Sequence, residues 1–83
     1  MLAWRMKRFD SKLDVEVWGS DIIVTLPGTN YWAAYFKQKN SSGLIAKDIA
    51  NKDDPRIPMT AAEFLAKAWK LANDKARELG WIV

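Results

Sequence analysis

The 83 residues and 9.5 kDa of the chain predict one small domain over residues 1–83. A folded monomer this size keeps roughly 5,000 Å² of the roughly 14,000 Å² that its unfolded chain exposes, enough for a thin core. With 49% hydrophobic and 28% charged residues, and only 4 Gly and 3 Pro, the composition excludes disordered and fibrous classes. The chain has neither Cys nor His. That excludes disulfides, zinc sites built on thiolate or imidazole, thiol nucleophiles, Ser-His-Asp triads and histidine general bases. A small domain with no disulfide fits the cytoplasm better than a secreted setting. The cations Arg5, Lys7 and Arg8 interrupt Leu2, Trp4, Met6 and Phe9, so no apolar signal-peptide core is expected at the start. The longest apolar run elsewhere, residues 31–36, falls far short of the ~20 residues that a membrane helix needs. A soluble, cytoplasmic protein with no membrane partner is expected.

Residues 14–36 alternate with a period of two. Asp14, Val15, Glu16, Val17 and Trp18 lead into Gly19-Ser20 and then the β-branched run from Asp21 to Leu26. A Gly-X pair between two such runs predicts a type II′ hairpin. Its two-residue loop pairs Trp18 with Asp21, Val17 with Ile22, Glu16 with Ile23, Val15 with Val24 and Asp14 with Thr25. Val15, Val17, Ile22, Val24 and Leu26 then share one face, and Asp14, Glu16, Trp18, Asp21, Ile23 and Thr25 the other. Pro27-Gly28-Thr29-Asn30 reads as a type II turn, and residues 31–36 as a third strand. A four-residue loop sets Leu26 against Tyr31, with Tyr31, Ala33 and Tyr35 towards the core and Trp32, Ala34 and Phe36 outward. A bulge would exchange the two sets.

Residues 37–59 are polar, punctuated by Asn40-Ser41-Ser42-Gly43 and by Asn51-Lys52-Asp53-Asp54-Pro55, and read as flexible. Leu44, Ile45 and Ile49 suit either a short fourth strand or a helical turn, and periodicity leaves that choice open. The final element is an amphipathic helix over residues 61–79. Thr60 and Glu63 form a capping box, and Gly80 with Trp81 suits a Schellman ending. Apolar positions run from Phe64 through Leu65, Ala68, Trp69, Leu71, Ala72 and Ala76 to Leu79. The expected fold is α+β: a three-stranded antiparallel meander, with the open segment as a short extra strand or a turn, packed against one C-terminal helix and preceded by a short N-terminal segment.

Five Trp in so short a chain call for placement. Trp69 and Trp81 are assigned to packing on the helix. Trp18, Ile23, Trp32 and Phe36 fall on the sheet face that the helix leaves uncovered, where only Leu2, Trp4, Met6 and Phe9 of the N-terminal segment offer cover. These four are the candidate interaction residues, with Tyr31 and Tyr35 in place of Trp32 and Phe36 if a bulge exchanges the sets, because exposed apolar patches mark contact sites. Asp48, Asn51, Asp53 and Asp54 are oxygen ligands, but their spacing matches no calcium loop, so a solvated loop without metal is expected. Asp14 and Glu16 share a strand face and read as a polar stripe rather than an acid/base pair. No catalytic residue and no cofactor are assigned.

The leading expectation is a non-enzymatic interaction module, docking a protein partner or forming a homodimer through the aromatic face, with Arg5, Lys7 and Arg8 as its polar rim. The alternative is weak nucleic-acid binding through Arg5, Lys7, Arg8, Lys12, Lys37 and Lys39, permitted by the net charge of +3. Acidic residues interleave with these cations. The RNP motifs of single-strand binders are absent, as is the lysine cluster of double-stranded-RNA-binding domains at the helix start.

Overall fold

The computed structural model describes residues 13–83. Within them lie four strands, β1 (Asp14–Trp18), β2 (Asp21–Thr25), β3 (Trp32–Lys37) and β4 (Leu44–Ile49), and one helix, α1 (Ala61–Glu78). The strands form one antiparallel sheet in the order β1-β2-β3-β4, and the helix packs on one side of it. The α+β arrangement expected from the pattern is therefore present, with four full strands. The segment left open between strand and helical turn is β4, six residues long.

Turn chemistry sets the register of the first three strands. Gly19 has φ +64° and no other residue of the β1–β2 turn has a positive φ, as a type II′ turn requires at its first central position. The pairing is the five-pair register predicted from Trp18↔Asp21 to Asp14↔Thr25. At the next turn Gly28 takes φ +84°, and the Thr29 amide donates to the Leu26 carbonyl at 3.2 Å. Leu26 and Tyr31 close the loop, so β2 and β3 pair from Thr25↔Trp32 to Asp21↔Phe36 without a bulge. Tyr31, Ala33 and Tyr35 consequently face the helix and are buried, while Trp32 and Phe36 face outward. The bulge occurs one strand later. Between Ala34↔Asp48 and Tyr35↔Ala46 the register shifts and leaves Lys47 without an opposite residue.

The helix begins and ends as its sequence dictates. The Glu63 amide donates to Thr60 Oγ1 at 3.1 Å, and the Thr60 amide donates to Glu63 Oε1 at 2.8 Å. At the other end Gly80 has φ +79°. The amides of Trp81 and Gly80 bond back to the carbonyls of Ala76 and Arg77, the two bonds of a Schellman motif. The buried helix positions are Ala61, Phe64, Ala68, Ala72 and Ala76. A nearly all-alanine stripe lets the backbone approach the sheet closely. The bulk of the core therefore comes from the sheet side, from Ile22, Val24, Tyr31 and Tyr35, and from Phe64.

One buried oxygen joins the sheet to the segment before the helix. Tyr31 Oη donates to the Met59 carbonyl at 2.7 Å and accepts from the Asp54 amide at 2.8 Å, and the Tyr31 ring stacks on Phe64 at 5.3 Å. Asp54 is itself buried, 4% exposed, and its carboxylate accepts from the Arg56 amide, Nε and Nη2 at 2.7–3.0 Å. Asp53 Oδ1 accepts from the Ala61 amide in the first helical turn, at 2.8 Å. The expectation of a solvated loop is thus corrected at Asp54, which is buried, and the segment is tied to the sheet through the Asp54 amide and the Met59 carbonyl and to the helix through Asp53.

Two outcomes follow from this clamp. Tyr31→Phe removes the hydroxyl and leaves a buried N–H and a buried C=O unpaired, and is expected to cost about 1–3 kcal/mol in denaturant unfolding. The Arg56 guanidinium holds the Asp54 carboxyl far below the usual carboxylate range. The contribution of Asp54 to stability is therefore complete above about pH 4, the ordinary aspartate value, and shrinks as the unfolded chain takes up a proton that the folded carboxylate still refuses. Asp54→Asn is expected to flatten the fall of stability with pH below about 4, measured as unfolding midpoints across a pH series.

Candidate aromatic sheet face

Alternation along the strands builds the outer face from three rows. The first holds Trp18, Asp21, Phe36 and Ile45, the second Glu16, Ile23, Ala34 and Asp48, and the third Asp14, Thr25 and Trp32. The helix packs on the opposite side. All four candidate interaction residues, Trp18, Ile23, Trp32 and Phe36, are thus brought to one surface. Trp18 is 66% exposed and Trp32 37%, while Ile23, Phe36 and Ile45 are half-buried beside them.

Exposure does not leave these side chains loose. Trp18 Nε1 donates to Glu16 Oε1 at 2.7 Å, which holds the indole along β1. Lys47, turned outward by the bulge, reaches across β3 to Asp21, with its ammonium 2.7 Å from the carboxylate. Exposed ion pairs of this kind are worth little in stability. Their effect is positional, since the contact fixes the lysine side chain on the outer face.

The electrostatics of this face run against the chain's overall charge. Among the described strand residues, Asp14, Glu16, Asp21 and Asp48 all lie on it, and the bulge adds the cation Lys47. Residues 13–83 carry nine cations and nine carboxylates, so the net charge of +3 resides wholly in residues 1–12. Of the candidate basic contacts, Arg5, Lys7, Arg8 and Lys12 lie outside the described residues. Lys37 alternates to the helix side of β3 and bonds the Gln38 carbonyl at 2.9 Å, and Lys39 follows in the turn after it. Neither lysine belongs to the aromatic surface.

The other singled-out residues are dispersed. Asp48 sits on the outer face, whereas Asp53 and Asp54 are engaged by the helix start and by Arg56, so the loop oxygens do not converge. Among the described residues no three His, Cys, Asp or Glu side chains gather as a metal-binding group. A shallow depression of about 350 Å³ lies beside Trp32 and Ile49, lined also by Asn30, Asn51 and Lys52.

Sequence reasoning missed that two apolar side chains assigned to packing stay partly open. Trp69 meets Tyr35 edge-on at 5.5 Å but remains 46% exposed, and Val17, on the helix side of β1, is 40% exposed. The helix bears mainly on β2. An indole one turn beyond Leu65, on a helix whose fully buried positions are alanine apart from Phe64, was the available signal, because a stripe of small residues is too narrow to seat it. Among the described residues no helix is long and apolar enough to cross a membrane. The chain matches no family model, no curated protein and no solved structure.

Proposed function

We propose that this protein is a non-enzymatic interaction module whose outer sheet face docks an apolar, cationic segment of a protein partner. The observation that carries the reading is Trp18, two-thirds exposed yet held in place by Glu16, beside half-open Ile23, Phe36 and Trp32. Rigid, amphipathic aromatics contribute large contact area at low entropic cost, which is why tryptophan dominates binding hot spots. The four carboxylates select the partner's charge. They favour a segment carrying Lys or Arg beside its apolar residues, and they oppose a symmetric homodimer in which the same acids would meet across a two-fold axis.

The same carboxylates weigh against nucleic acid on this face, since phosphates would meet Asp14, Glu16, Asp21 and Asp48. The absence of Cys and His from the chain supports a role in binding rather than in catalysis.

The test is titration of the full chain with a synthetic peptide alternating Leu or Trp with Lys, followed by amide chemical shifts. Shifts are expected to centre on Trp18, Ile23, Trp32 and Phe36. Trp18→Ala is expected to weaken binding about tenfold or more while changing unfolding by less than about 0.5 kcal/mol, as for an exposed residue. Unfolding of the isolated monomer by Trp18→Ala would make the indole part of the core and remove the anchor of the reading. Light scattering with absorbance at two wavelengths, on protein purified without nuclease, separates the readings further. A bound nucleic acid released at high salt would favour the alternative.

A further inference from the structure

We propose that the depression where β3 begins and β4 ends binds a single pyranose ring, as a free sugar or as the end of a glycan. This site is separate from the docking anchor at Trp18 and does not depend on it. Its volume of about 350 Å³ lies at the lower end of the roughly 300–1,000 Å³ of small-molecule sites. Trp32 and Ile49, both exposed, supply an apolar part of the wall, and the exposed Asn30, Asn51, Lys52 and Asp53 supply a polar part. Separate anchors hold these residues in place. The Ala50 amide donates to the Trp32 carbonyl at 2.9 Å, which joins the two strand ends. Asn30 lies between Thr29 and Tyr31, and the Tyr31 amide donates to Thr29 Oγ1 at 3.0 Å across it. Asp53 is held by the Ala61 amide, and the neighbouring Asp54 amide by Tyr31 Oη. A wall fixed in this way spares a ligand much of the cost of ordering it.

The lining selects a neutral ligand rich in hydroxyls. Each Asn side chain both donates and accepts, Lys52 only donates, and the Asp53 carboxylate only accepts, with Oδ1 serving the Ala61 amide. A hydroxyl does both, so a sugar can satisfy all of these groups at once. A phosphate would meet the Asp53 carboxylate, and an organic cation the Lys52 ammonium. Asp54, also at the wall, adds no net charge, because Arg56 Nη2 lies 2.7 Å from its carboxylate. The indole selects for a ring: one face of a pyranose is a layer of C–H groups, which suits the electron-rich face of an aromatic system. The half-open indole of Trp69 lacks such surroundings. Its neighbours Lys70, Asp74 and Arg77 are already joined in ion pairs.

The test is titration of the isotope-labelled full chain with the methyl glycosides of glucose, galactose and mannose and with cellotriose and chitotriose. Saturable shifts of the backbone amides and the indole N–H are expected at Trp32, Ile49, Asn51 and Lys52, with Trp18 and Trp69 unmoved. Tighter binding of a trisaccharide assigns the site to a glycan end, and equal binding to a free sugar. Trp32→Ala is expected to weaken binding about tenfold or more. Asn51→Ala, an exposed change outside the strands, is expected to weaken it as well with the fold intact, and no weakening by Asn51→Ala overturns the proposal. So does the lack of any shift at about 50 mM sugar, well above a millimolar dissociation constant. Equal shifts with glycerol, which has hydroxyls but no ring face, overturn it too, as do saturable shifts with inorganic phosphate at the same residues. Trp18→Ala is expected to leave the sugar response unchanged. Loss of the peptide response with the sugar response intact overturns the docking reading alone, and the converse overturns the sugar site alone.

Discussion

The covered half of the molecule hangs on a single hydroxyl. Tyr31 Oη accepts from one backbone group of the loop and donates to another five residues on, so the chain from Asp54 to Met59 is drawn onto the end of β3. The helix starts at once afterwards, with its first turn tied to Asp53 and its first aromatic, Phe64, stacked on the same tyrosine. A buried polar atom that satisfies two partners constrains direction as well as distance, which hydrophobic contact alone does not. The alanine stripe depends on this aim. Small side chains give the helix little grip of their own, and it lies close to the sheet because its N-terminal end is held there.

The two sides of the sheet solve different problems. On the helix side, Ile22, Val24, Tyr31 and Tyr35 are buried while Val17 at the edge stays open, and among the described residues the buried polar side-chain groups are paired. On the outer side, aromatic and acidic residues alternate across neighbouring strands, and Lys47 is spent on Asp21. A sheet whose second face were meant only for water would carry few tryptophans there. The proposed docking role rests on that mixture of indole and carboxylate.

The elements legible in the sequence were those decided within a few residues. Gly19-Ser20 and Pro27-Gly28 set the strand register because a positive φ at one position leaves one loop geometry available, and Thr60-Glu63 and Gly80-Trp81 set the helix limits for the same kind of reason. The outer-face placement of Trp18 and Ile23 was legible too, since alternation propagates from the Gly19-Ser20 turn, whereas the choice between Trp32 with Phe36 and Tyr31 with Tyr35 stayed open because a bulge in the next loop would exchange them. What escaped was decided at a distance. Asp54 looks like any loop acid until Tyr31, 23 residues earlier, is brought against its amide. Trp69 reads as core from its helical phase, yet the helix bears mainly on β2 and the indole stays half open. Residues 44–49 satisfy two periods because Lys47 is inserted between the two halves of a strand, which breaks the alternation that would have declared it.

That inserted lysine matters beyond its ion pair. β4 is the last strand of the sheet, and its free side presents backbone donors and acceptors to solvent, the usual template on which another chain adds a strand. A residue with no opposite number makes the strand bend and breaks the even spacing of those groups midway along. It also sets a charged side chain, followed by Asp48, where an incoming strand would need apolar neighbours. The inserted lysine thus makes this edge a poor template for strand addition and for growth into fibrils.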